Sequence, residues 1–134
     1  MSIKQIKAAL ETHLKAMPNG LTTAWENVSF DPPAGPYQRA DLLPAAPENP
    51  TLGDGMFREI GVFQVTLFYD LDGGGGVVYA MAEAVRDWFP RGLSLTSGGI
   101  QVTISRTGEI GPKFRDNDRF VLPVRLRYFA NIFP

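Results

Sequence analysis

The chain has 134 residues, 44% of them hydrophobic and 20% charged, which excludes a disordered tail and describes a globular protein. Thirteen basic against 14 acidic side chains leave a formal charge of −1, so the strongly basic face that unspecific nucleic-acid binding needs is missing. There is no cysteine, which rules out disulfides, thiolate zinc sites and cysteine nucleophiles.

The length predicts a single domain over residues 1–134. Lys4, Lys7, Glu11 and Lys15 interrupt any signal-peptide core. No run approaches the roughly 18 apolar residues of a membrane span. The chain is therefore expected to be soluble and made in the cytoplasm, with no membrane partner.

In chain order, Ser2 and Gln5 have the spacing of a capping box. They open a run with Ile3, Ile6, Leu10, Leu14 and Met17 on one stripe. Pro18-Asn19-Gly20 ends it, giving a helix over about 2–16. Thr22–Phe30 (TTAWENVSF) is rich in β-branched and aromatic residues and predicts a strand. Residues 31–55 hold six prolines and three glycines and read as a long loop, a length that is usually functional or disordered. Within it, Tyr37–Leu43 has the makings of an edge strand, since Pro44 suits only an edge or an end.

Phe57–Tyr69 predicts a long strand with Phe63, Val65, Leu67 and Tyr69 on one face, and Gln64 and Thr66 on the other. After Gly73–Gly76, the residues Val77, Met81, Ala84, Val85 and Trp88 recur at helical spacing. Phe89-Pro90-Arg91-Gly92 ends that helix. Ile100, Val102 and Ile104 alternate with polar residues as in a half-buried strand, and residues 107–118 form a turn-rich connection. The last strand, 119–132, puts Phe120, Leu122, Val124, Leu126 and Tyr128 on one face and Arg119, Arg125 and Arg127 on the other. Together these elements predict an α+β fold: a largely antiparallel or mixed sheet of about four to six strands with two helices packed on it.

The chemistry is sparse. The stretch DLDGGGGVV (70–78) lacks the Lys and Ser/Thr of a P-loop, and Val78 stands where a dinucleotide fingerprint would place its third glycine. Asp70 and Asp72 would repel an approaching anion, so the glycines read as a strand-to-helix joint, and a phosphate or small-ligand site there is the weaker alternative. His13, the one histidine, lies among surface lysines and reads as solvated. It has no local partner for a metal or a triad, and no GxSxG elbow exists. Asp116-Asn117-Asp118 lacks calcium-loop spacing and reads as an Asx turn. Arg119, Arg125 and Arg127, joined by Arg106 and Arg115, offer either a partner-facing surface, for acidic protein or passing nucleic acid, or a solvated face with cross-strand ion pairs. No catalytic, cofactor or metal residue is assigned, and the chain is expected not to be an enzyme.

In order along the chain, VFQVTLFYDLDGGGGVVYAMAEAVRDWFPRG and GGIQVTISRTGEIGPKFRDNDRFVLPVRLRYFANIF resemble the tail terminator, or tail completion, proteins of long-tailed bacteriophages. These include the minor tail protein U-like proteins and related prophage domains. The resemblance spans about residues 3–133 and rests on packing and turn motifs. It implies an α+β subunit that forms a hexameric ring at the head-proximal end of the tail, stops tube polymerisation and meets the head connector. The implied partners are further copies of itself, the tail tube protein and the head–tail connector protein, with no specific nucleic acid and no cofactor. The implied location is the host cytoplasm during assembly and then the virion tail. Another head–tail joining or tail-tube component is the alternative in the same class. For an assembly role the candidate interface residues are Tyr37, Arg39, Gly73, Gly74, Gly75, Gly76, Arg119, Arg125 and Arg127. The glycines are expected to be mobile in the free subunit.

Overall fold

A computed structural model describes residues 2–53, 55–71 and 75–134. Among them are two helices and eight strands. Helix α1 (Ser2–Lys15) buries Ile6, Ala9, Leu10 and Leu14, the three- and four-residue spacing of one helical face. Lys7 and Glu11 pair at 2.8 Å on its outer side. The expected capping box does not form: Ser2 Oγ donates to Glu59 and Gln5 Oε1 accepts from Ser97 Oγ, both at 2.9 Å. Tertiary contacts have taken the two side chains that would otherwise serve the helix end.

Strand β1 (Thr23–Trp25) is shorter than the nine residues expected. The chain turns at Asn27, whose φ of 57° no strand residue can adopt. Beyond β1, the Glu26 carboxylate accepts the N–H of Leu42, replacing the missing strand neighbour. Strand β2 (Tyr37–Pro44) pairs in parallel with β1 over Gln38–Ala40 and stays an edge over its second half.

Strands β3 (Phe57–Asp70) and β8 (Arg119–Ile132) are the 14-residue spine, antiparallel and paired from Phe57 opposite Ile132 to Asp70 opposite Arg119. Between them in sequence come α2 (Gly75–Trp88), β4 (Ser94–Ser97), β5 (Ile100–Ile104), β6 (Glu109–Ile110) and β7 (Phe114–Asp116). The sheet order is β1-β2-β3-β8-β5-β4, and β6 and β7 also pair with β8. Every pairing except β1–β2 is antiparallel. Since β3 occupies one whole edge of β8, the strands β7, β6 and β5 share the other edge in succession. The fold is α+β with a mixed, largely antiparallel sheet.

Directly opposed residues share a face, so the register sets the core. Phe63 faces Leu126, Val65 faces Val124, Leu67 faces Leu122, and Ala40 of β2 joins at Val65. All are fully buried. Helix α1 covers this face over β4 and β5, and α2 covers it over β8 and β3.

The buried side of α2 matches the expected stripe only in part: Val85 is fully buried and Met81 and Trp88 pack against the core, but Val77 and Ala84 face outward. Val78, Ala82 and Val85, with Phe89 just past the helix end, are at most 1% exposed, whereas Val77 is 59% exposed. Ala84 is exposed and Met81 half-buried. The run Val77–Ala84 is apolar except at Tyr79 and Glu83, so its periodicity admits two stripes, and only one can lie on the sheet.

Candidate assembly surfaces

The helices do not cover the opposite face of the sheet, where the odd-numbered residues of β8 point. At its β7 end that face is folded under its own loop. Arg119 donates to the carbonyls of Gly35 at 2.8 Å and Pro33 at 2.7 Å. It reaches Ala34 O at 3.4 Å and Asp70 at 3.8 Å. The guanidinium also lies 5.2 Å from the centre of the Tyr37 ring. Tyr37 stacks on Phe68 at 4.6 Å and 4°, and Arg39 lies over the same Phe68 ring at 5.4 Å while pairing with Asp41 at 3.2 Å. The structure thus gathers Arg39 and Arg119 around the stacked rings of Tyr37 and Phe68. Arg119 is the more enclosed of the two arginines, its planar fork matched to a run of backbone carbonyls.

Further along β8, Arg125 donates to Gln64 Oε1 at 3.2 Å and to Gly111 O at 2.7 Å. Arg127 is half exposed and meets Glu109 at 3.7 Å. These arginines are spread along the strand and are held by intrachain acceptors. Arg106 is exposed.

Past Arg127 this face opens into a groove of about 380 Å³, whose apolar floor is Leu43, Ile60, Val62 and Phe129. Arg58 forms one wall: its guanidinium sits 5.6 Å from the Phe129 ring, and it bonds Asn131 Oδ1 at 2.9 Å and faces Glu48 at 3.6 Å. Arg106 and Arg127 stand on the groove's rim.

On the helical side of the molecule, Val77, Ala80, Met81 and Ala84 form a shallow apolar patch beside Tyr69. Gly76 belongs to it, and a Cβ added there would meet nothing within 4 Å. Gly75 begins α2. Gly73 and Gly74 lie outside the described residues, and with them half of the Gly73–Gly76 stretch expected to be mobile.

Three ionisable groups stand out by burial. Glu59 is 8% exposed and bonded by Ser2. Burial raises Tyr69, and it pushes the Tyr128 hydroxyl up to about 12, with the nearby Glu59 charge adding to the shift. Both tyrosines sit in the core, and neither is placed beside a nucleophile or a metal-ligand cluster among the described residues.

The family profile of phage tail terminator proteins matches residues 5–128. The chain belongs to the phage tail terminator family. A tail terminator is a structural component of the phage virion tail, associated with other tail or virion parts. One solved structure is 33% identical to this terminator at a TM-score of 0.78, covering 100% of this chain and 99% of that one. A chain from the virion of a native gene transfer agent particle shares the fold at 19% identity and a TM-score of 0.62, covering 99% and 98%. No curated protein matches significantly. No helix among the terminator's described residues is long and apolar enough to cross a membrane.

Sequence reasoning missed the groove because it assigned the face that holds the even residues of β3 and the odd residues of β8 to solvent. The signal was present: Ile60, Val62 and Phe129 are apolar at positions that strict alternation would leave polar. It also missed β4, although Gly98-Gly99 marks a two-residue hairpin turn. Both glycines have positive φ, 56° and 81°, between Ser97 and its partner Ile100.

Proposed function

We propose that this tail terminator forms a ring of six copies that caps the head-proximal end of the tail tube, ends tube polymerisation and presents a surface to the head connector. The family match over residues 5–128 carries the reading. Two features of the subunit favour it. One sheet face is uncovered over the Leu43–Phe129 groove, and α2 carries a second, largely exposed apolar flank at Val77, Ala80 and Ala84. Unspent apolar surface of this kind marks an association site, and a subunit with different patches on different sides assembles head to tail, closing into a ring when the rotation permits. Tyr37, Arg39, Gly75, Gly76, Arg125 and Arg127 remain the residues proposed to lie near contacts, with Arg119 acting from beneath by fixing the loop at residues 33–35. Assembly takes place in the host cytoplasm, and the partners are the tail tube protein and the connector.

Electron microscopy of preformed tail tubes mixed with the purified 14.7 kDa protein tests the proposal. Added density at one tube end, with sixfold symmetry, is expected. Binding along the tube wall, or at neither end, would remove the capping role.

A further inference from the structure

We infer that the exposed flank of α2 in one copy packs into the Leu43–Phe129 groove of the next copy. The inference rests on the ring proposed above and names the contact that builds it. The two patches lie on opposite sides of the sheet: α2 covers the inner face, and the groove opens on the outer one. One chain therefore cannot bring its own two patches together. Stacking the helical layer of one subunit on the groove side of the sheet of another joins them in a single heterologous contact that repeats around a ring.

The shapes agree. Ala80 and Ala84 are small and exposed, so the helix backbone can approach the sheet closely, while Val77 projects as an apolar peg beside the half-exposed Met81. The groove supplies an apolar floor of matching character. The charges agree as well. Glu83 and Asp87 on the adjoining rows of α2 are exposed, and neither has an ion-pair partner among the described residues. Arg106 on the groove rim is in the same condition, and Arg127 beside it is only loosely held, by Glu109 at 3.7 Å. An acidic helix flank thus faces a basic rim across an apolar centre. That is the anatomy of an interface whose core supplies affinity and whose rim supplies register.

The absence of cysteine from the chain permits a clean test by disulfide cross-linking. Ala84→Cys and Leu43→Cys both alter exposed positions, so neither threatens the fold. An equimolar mixture of the two single variants, oxidised at high protein concentration, should give the mixed dimer at least about tenfold more than Ala84→Cys mixed with a Thr96→Cys control. The double variant should give a ladder of covalent oligomers. In that background Asp87→Arg or Arg127→Glu should each cut cross-linking by about tenfold, and the two together should restore it. Cross-linking no greater than the control, or indifference to both charge reversals, would overturn the contact. Tube capping by the unmodified protein is read separately. Capping without the cross-link sinks this contact and spares the terminator reading, whereas the cross-link without capping keeps the contact and sinks the capping role.

Discussion

His13 and Trp88 hold the ends of the two helices together by exchanging hydrogen bonds. The Trp88 indole Nε1 donates to the carbonyl of His13 at 2.6 Å, and His13 Nε2 donates to the carbonyl of Trp88 at 2.7 Å. Each acceptor lies in the last turn of its helix, and the His13 carbonyl also accepts the Ala16 N–H at 3.2 Å. A carbonyl can only accept, so this contact places a proton on Nε2. The rings stack at 4.7 Å and 12°, and Phe89 meets the imidazole edge-on at 4.8 Å. His13 is therefore not the solvated side chain its lysine-rich surroundings suggest. His13→Ala is expected to cost about 2–3 kcal/mol, and His13→Phe, which keeps the stacking, about 1 kcal/mol. Urea unfolding of both variants checks this, and a loss under about 0.5 kcal/mol for His13→Ala would show the pin to be idle.

Gly61 is required by what crosses it. A Cβ built there would lie 2.5 Å from Tyr128 Oη and 2.7 Å from the carbonyl of Leu43, and Tyr128 is its direct partner on β8. Gly61→Ala should destabilise the protein by about 2–3 kcal/mol through overpacking. Adding Tyr128→Phe should recover less than half of that, because the Leu43 carbonyl is backbone and cannot step aside. Thermal melts of the single and double variants decide the point.

The Tyr128 hydroxyl is buried without a hydrogen-bond partner among the described residues. Its pKa stands at about 12 in the fold against 10.0 for the free side chain, so the folded protein holds the phenolic proton more tightly than the unfolded chain. Stability from this group is intact below pH 10 and is lost as pH rises from 10 to 12. Tyr128→Phe should flatten the stability curve in that window. At neutral pH it should be neutral or stabilising by up to about 1 kcal/mol, since an unpaired buried hydroxyl is removed. Tyr69 titrates in the same direction, so the difference between wild type and variant is the quantity to measure. Identical slopes from pH 10 to 12 would contradict this.

Arg119 holds residues 33–35 through a planar fork that lysine cannot copy. Arg119→Lys should therefore behave nearly as Arg119→Ala, with each losing about 1.5–3 kcal/mol. Amide exchange at Ala34 and Gly35 should rise in both. Wild-type protection in the lysine variant would mean that charge alone suffices.

The core faces of the long strands were legible in the sequence, and so was the first helix. The bounds 119–132 match β8 (Arg119–Ile132), and Phe63, Val65 and Leu67 face the core as read, although Val121 and Pro123 on the opposite face are buried too. Failures came where local pattern was degenerate or a distant contact overrode it. The α2 run is apolar on two sides, so periodicity alone could not choose Val78 over Val77. Ser2 and Gln5 were spaced for a cap but are claimed by Glu59 and Ser97, far along the chain. The Glu26–Leu42 bond that substitutes for a strand leaves no trace in propensity. The arginines Arg119, Arg125 and Arg127 were visible as a set, but their acceptors are mostly backbone carbonyls, whose positions only the fold supplies.

The central claim is that this subunit ends tail-tube growth. Its most direct test is the length distribution of tubes polymerised from the tail tube protein with and without this protein, counted by electron microscopy. A terminator predicts tubes that stop growing once capped, so lengths fall and narrow as the ratio of terminator to tube subunit rises. A distribution unchanged across that titration, with the protein folded and in excess over tube ends, would contradict the account.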